Sequence, residues 1–267
     1  MLTSLLLILA SLVVLLLLFQ EKLIYHSRGY DAAFLRGVNA RPLAFTTSQG
    51  KQVAWLAPQL RAPPEHVWLV FCGNGTVALD FEGYFGNSKL SGDQFVLFDY
   101  PSYGQCEGTP SPKTIGESIH ALVPAVAANL GLTVDELRPK LRVFGHSLGC
   151  ASALMAMEAY GIKNGVLVAP FTSMLAMGQK IVGWPMCNLL RHRFDNVAAL
   201  ERLKAVGGVH LHVFHGTADE VIPVAMGREL GERFPGLIQF EAVQGARHND
   251  IIETDRRSIL AAMDAMR

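Results

Sequence analysis

Gly145-His146-Ser147-Leu148-Gly149 sets a serine between two glycines, after a run of apolar residues and before a run of small, helix-forming ones. A serine hydroxyl is a poor nucleophile near neutral pH and needs a base beside it. G-x-S-x-G alone is a weak signal, but at a strand-to-helix junction it describes a nucleophile elbow, a bend too tight for bulky neighbours. Of the nine histidines, His248 in Gly245-Ala246-Arg247-His248-Asn249-Asp250 is the best placed base. A base of this kind needs an orienting carboxylate. Asp219, in His215-Gly216-Thr217-Ala218-Asp219-Glu220, fits that role. Glu220 would point elsewhere on a tight turn, and Asp250 reads as the cap of the last helix. An acyl-transfer site also needs two backbone amides for the developing oxyanion. Leu148 follows the serine and supplies one, and Asn74 in Gly73-Asn74-Gly75-Thr76 is the expected source of the other.

These residues are useful only if the elements around them bring them together. Residues 67–72, 95–99, 141–144, 165–169, 209–214 and 237–243 are apolar runs that read as buried strands. Residues 42–47 and 52–57 read as a hairpin around Ser48-Gln49-Gly50. Helical spacing covers residues 115–130, 147–160, 224–234 and 251–266. Strands alternating with helices predict an α/β fold, a mostly parallel central sheet with helices on both faces. In such sheets functional groups gather in the loops at the carboxyl ends of strands. Ser147, Asp219, His248 and Asn74 all fall in such loops.

Formal charge is balanced, with 23 basic and 23 acidic residues and no basic cluster, so no nucleic-acid partner is expected. Half the chain is apolar (50%), and one segment contributes heavily. From Leu2 to Phe19 only Thr3, Ser4 and Ser11 are polar, and none is charged. Roughly 18 residues at about 1.5 Å each span about 27 Å, just enough for a hydrocarbon core. A cleaved signal peptide would want a basic start and small residues at its end. Met-Leu-Thr and Phe19-Gln20-Glu21-Lys22 favour an uncleaved, single-pass N-terminal anchor over residues 1–22. Lys22, Arg28 and Arg36 follow it, which by charge bias favours a cytoplasmic body, although so short a leading tail leaves the side open. The remaining residues, 23–267, are about the size of one domain. His210, His212 and His215 have a metal-ligand spacing, but Phe214 stands where the comparable metallo-hydrolase motif needs aspartate, and no metal is expected.

The assembled residues resemble the α/β-hydrolase superfamily, whose chain order of serine, acid and histidine is the order of Ser147, Asp219 and His248. Within it they are similar to membrane-tethered serine hydrolases that include depalmitoylating thioesterases. Members show a strand ending in His-Gly-Asn, and this chain has Cys72-Gly73-Asn74. They show Asp-Tyr-Arg-Gly-Tyr-Gly-x-Ser-x-Gly where this chain has Asp99-Tyr100-Pro101-Ser102-Tyr103-Gly104-Gln105-Cys106-Glu107-Gly108. Arg193-Phe194-Asp195, upstream of His215-Gly216-Thr217-Ala218-Asp219, also matches. Cysteines at 72 and 106 are paired departures from the group, and a Cys72–Cys106 disulfide shaping the oxyanion loop is the expectation they raise. The resemblance places a short cap insertion at residues 170–195, apolar enough either for a packed helix pair or, the favoured reading, for Met174, Met177 and Trp184 to line an acyl pocket. It implies a membrane-anchored serine hydrolase cleaving a small-molecule or lipid-like ester or thioester without a cofactor. A serine peptidase of the same fold and a non-catalytic binding module are the competing readings.

Overall fold

The computed structural model describes residues 11, 13, 14, 17, 19–58, 63–85 and 92–266. Most of the expected anchor, residues 1–22, lies outside the described residues. Residues 19–24 are helical, and among the described residues no single helix is long and apolar enough to cross a membrane.

Among the described residues, eight strands form one sheet: β1 (Arg41–Thr47), β2 (Gly50–Leu56), β3 (Val67–Phe71), β4 (Gln94–Phe98), β5 (Leu141–His146), β6 (Asn164–Val168), β7 (His210–Gly216) and β8 (Ile238–Val243). Their spatial order is β1-β2-β4-β3-β5-β6-β7-β8. The β1–β2 and β2–β4 pairs are antiparallel, and every later pair is parallel. Each residue of β3 and β4 is buried. Since successive side chains point to opposite faces, both faces of the sheet are covered. Rings from the two sides fill the core, with Phe85 stacked on Phe95 at 4.4 Å between centroids.

The principal helices are α1 (Pro112–Asn129), α2 (Leu148–Tyr160), α3 (Met174–Val182), α4 (Asn196–Val206), α5 (Val224–Arg233) and α6 (Arg256–Ala265). Ser111 caps α1 by accepting from the Thr114 amide at 3.0 Å, and Pro112 takes the first turn, where its missing N–H leaves no gap. Apart from Glu158, which pairs with Arg202 at the surface, helix α2 has apolar or small residues on every side and is buried nearly all round, packed among β3, β5, α1 and α4. The single final helix expected over residues 251–266 is instead two pieces, Ile251–Thr254 and α6. Asp255 breaks the run at φ −121°, ψ 32° and accepts from the Ser258 hydroxyl at 2.6 Å.

Candidate active site

Ser147 occupies the sharp bend between β5 and α2, at φ 56° and ψ −118°. A non-glycine residue at positive φ costs energy, and the surrounding packing must hold it there. The Ser147 amide donates to Val168 O at 2.9 Å, and the Ser147 carbonyl accepts from the Cys150 amide at 3.0 Å. The flanking glycines answer a question of space. A Cβ on Gly149 would lie 2.1 Å from Phe71 O, and one on Gly145 would lie 2.6 Å from Gly149 O. Only bare backbone lets α2 start this close to the strands.

His248 lies in the turn after β8 and Asp219 in the loop after β7, both at the sheet's carboxyl edge. His248 Nε2 is 3.0 Å from Ser147 Oγ, and Nδ1 is 2.8 Å from Asp219 Oδ2. An ionised carboxylate only accepts, so Nδ1 carries the proton and Nε2 is left to accept from the serine hydroxyl. Asp219 Oδ1 accepts from the amides of Val221 at 2.9 Å and Ile222 at 2.7 Å. Its side chain is fully buried. Burial pushes the carboxyl up, but hydrogen bonds from His215 and His248, the charge of His248 and the Ile222 amide outweigh that and hold it below the usual carboxylate range.

The competing acids are engaged elsewhere. Glu220 pairs with Arg247 at 3.1 Å and accepts from the His248 amide at 3.4 Å. Asp250 stands at the start of the penultimate helix, as expected, yet its carboxylate accepts from the Arg247 amide at 2.7 Å and not from a helix amide.

Two further histidines belong to this cluster, and sequence reasoning gave them no part in it. His215 Nε2 donates to Ile222 O at 2.8 Å and lies 3.4 Å from Asp219 Oδ2, so it braces the acid loop. His146 Nε2 is 3.2 Å from His248 O. Burial first, then the nearby charge of His248, pushes the His146 pKa down to about 4, so the ring is neutral and donates that bond. Their signal lay within the motifs, one residue before the serine and four before the acid.

The loop after β3 runs beside the serine: a Cβ on Gly73 would lie 3.5 Å from Ser147 Cβ and 2.9 Å from His146 Nδ1. Asn74 is held there by two donors, the Tyr103 hydroxyl and the His26 amide. Its carbonyl accepts from the Tyr103 hydroxyl at 2.8 Å, and its Oδ1 accepts from Tyr103 at 3.0 Å and from the His26 amide at 3.1 Å. The Tyr100 hydroxyl donates to Cys72 O at 2.7 Å. The two tyrosines of the Asp99–Gly108 motif therefore pin this loop.

The expected Cys72–Cys106 disulfide is not formed, and both thiols are free. Cys72 Sγ donates toward Thr76 O at 3.5 Å, while Cys106 Sγ donates to Val53 O at 3.4 Å, on β2. Burial pushes both thiols up, Cys106 to about 12, so neither is a ready nucleophile. Glu65, His66 and Asp93 are close enough together to share a cation, but they lie at the amino edge of the sheet, away from Ser147.

A cavity of about 780 Å³ opens over Ser147 and His248. Asn74 and Leu148 stand in its wall, as do Met174 and Met177 from α3. Trp184 corrects the expectation: it is 76% exposed and outside the wall, because Gly183 at φ 74° ends α3 and turns the chain outward. Unexpectedly, Gln20, Leu23, Ile24 and His26 complete the wall from the N-terminal side.

The model of the alpha/beta hydrolase family matches residues 69–251. The chain belongs to this family. Alpha/beta hydrolase domain-containing protein 17C of Xenopus tropicalis is 29% identical over 168 residues, 63% of this chain and 51% of that protein. Its human namesake is 27% identical over 192 residues, 71% of this chain and 55% of that one. The chain thus spans about half the length of these alpha/beta hydrolases. Among solved structures, an esterase of Pyrococcus furiosus superposes with a TM-score of 0.66 at 16% identity, over 91% of this chain and 98% of the esterase. An esterase domain from Rhodothermus marinus gives 0.60 at 15% identity, over 84% and 96%. At such identities the likeness speaks for the shared alpha/beta-hydrolase fold.

Proposed function

We propose that this alpha/beta hydrolase is a serine hydrolase of carboxylic esters or thioesters, tethered to a membrane through residues 1–22. The observation that carries the reading is the line of contacts from Asp219 Oδ2 through both ring nitrogens of His248 to Ser147 Oγ. Ser147 Oγ bonds to the acyl carbon as His248 Nε2 takes its proton, and Asp219 steadies the resulting imidazolium. The amides of Leu148 and Asn74 face the acyl oxygen as it gains charge. The proton then passes to the departing alcohol or thiol. Water, deprotonated by the same nitrogen, attacks the acyl-serine and releases the acid.

The cavity supports an aliphatic acyl group. Its wall is mostly apolar and, among the described residues, includes no Lys, Arg, Asp or Glu. That favours an acyl substrate over a peptide, whose backbone and termini need polar partners. The esterase names of the solved neighbours agree with it.

A fluorophosphonate probe tests the reading. Wild type is labelled at Ser147, and Ser147→Ala is not. Equal labelling of the two, or of neither, sinks the reading. In a series of p-nitrophenyl esters, kcat/KM rises with acyl length over the first several carbons as the apolar wall is filled.

A further inference from the structure

Leu23, Ile181, Val182 and Val221 line the cavity yet are 62, 75, 40 and 49% exposed. They come from three separate parts of the chain: the N-terminal helix, the end of α3 and the loop after β7. Trp184, two residues beyond Val182, is exposed as well, whereas Trp55 and Trp68 are buried. Single exposed hydrophobic residues are ordinary, but a group gathered around one cavity marks a contact surface.

Two observations indicate what covers it. The first is the chain that leads to the mouth. Residues 2–19 carry no charge, and the helix that follows them puts Gln20, Leu23 and Ile24 into the cavity wall. Gln20 Oε1 accepts from the Arg191 amide at 2.7 Å, tying the end of that apolar segment to the cap. The second is charge. The cap, residues 170–195, contains Lys180, Arg191 and Arg193 against one acid, Asp195, whose carboxylate is taken up in capping α4. All three basic residues are exposed, as is Lys22 on the N-terminal helix, so basic residues outnumber Glu21, the exposed acid beside Lys22. An apolar face with basic residues beside it suits an anionic lipid surface.

We propose that the rim of the cavity, with Trp184 at its edge, docks into a lipid bilayer, so that an acyl chain passes from the membrane to Ser147 without crossing water. The identity of what enters rests on the serine-hydrolase reading; the docking does not. The cap is thereby a second membrane contact beside the N-terminal segment, and it sets which way the cavity faces.

The test uses the full chain with vesicles of phosphatidylcholine containing phosphatidylserine. Trp184 is the exposed tryptophan, so the fluorescence difference between wild type and Trp184→Phe reports on it. On adding vesicles, that signal shifts to the blue, is quenched by brominated acyl chains and is shielded from aqueous acrylamide. Unchanged acrylamide quenching overturns the proposal. So does shielding that grows with protein concentration in the absence of vesicles, which would mean self-association. In a second arm, Trp184→Glu hydrolyses dissolved p-nitrophenyl butyrate at the wild-type rate but loses roughly tenfold on a long-chain ester held in vesicles. Equal loss on both substrates, or on neither, overturns it too. Failure of wild type to cleave the butyrate ester counts against the hydrolase reading, while the fluorescence arm still decides the docking.

Discussion

Asp219 sits between two histidines, and they determine what its carboxyl can do. With His248 Nδ1–H on one oxygen and backbone amides on the other, it stays ionised and fixes the tautomer that leaves Nε2 free for Ser147. Asp219→Asn keeps the shape but presents an amide that can donate to Nδ1, which favours the wrong tautomer. Steady-state turnover of a p-nitrophenyl ester is expected to fall roughly 10⁴-fold, with the melting temperature altered far less. Asp99 is the contrasting acid. Burial pushes its pKa up to about 6, although Ala78 N, Tyr30 OH and Trp55 Nε1 all donate to it. A folded-state pKa above the unfolded value means the native protein binds the proton more tightly. Stability from this group is therefore full at low pH and is lost as pH rises through about 6. In urea titrations between pH 4 and 7, wild type is expected to lose roughly 2 kcal/mol relative to Asp99→Asn. Parallel pH profiles for the two proteins would refute this. Both acids were visible in the sequence as members of motifs. Their opposite pKa shifts were not, because burial and donor count depend on which distant groups arrive.

At the scale of elements, β5 and α2 work as one unit with the end of β3. The bend strains Ser147, and the clearance at Gly149 lets the helix abut the Phe71 carbonyl. Gly149→Ala is expected to cost about 1–3 kcal/mol, measured by chemical denaturation, and to weaken probe labelling of the protein that remains folded. A variant with unchanged stability would show that α2 shifts away without cost. The junction was legible beforehand because apolar strand runs, glycine punctuation and helical spacing are local properties. The cap was less legible. Its apolar residues announced a packed or pocket-lining segment, but residues 174–182 do not say which side chains face inward. The turn at Gly183 separated Met174 and Met177 from Trp184. Helix α4 also escaped the sequence reading. Its residues, Asn196–Val206, are weakly patterned, and it is started by Asp195, whose carboxylate accepts from the Ala198 amide at 2.9 Å.

Across the whole molecule, residues 20–30 form a strap. Gln20 and the Tyr25 hydroxyl hold the cap at Arg191 and His192, the His26 amide holds Asn74, and Arg28 pairs with Asp80. The Tyr30 hydroxyl reaches the buried Asp99 at 2.7 Å. Removing residues 1–19 is expected to leave hydrolysis of a dissolved short-chain ester within about threefold of wild type, since the strap's contacts persist. Removing residues 1–30 uncovers Asp99 and opens the cavity wall. That protein is expected to melt at least about 5 °C lower and to lose most of the same activity. Equal behaviour of the two truncations would show that the strap carries nothing.

The sequence alone determined the alternation of strands and helices, the serine at its bend, and the order of serine, acid and histidine, because each is written in short-range spacing. Tertiary structure decided the rest. It separated Cys72 from Cys106, set His146 and His215 around the His248–Asp219 pair, turned Trp184 outward and brought the N-terminal strap into the cavity wall. These contacts join residues up to about 170 positions apart. Such pairings depend on how whole elements pack, and no local pattern encodes them.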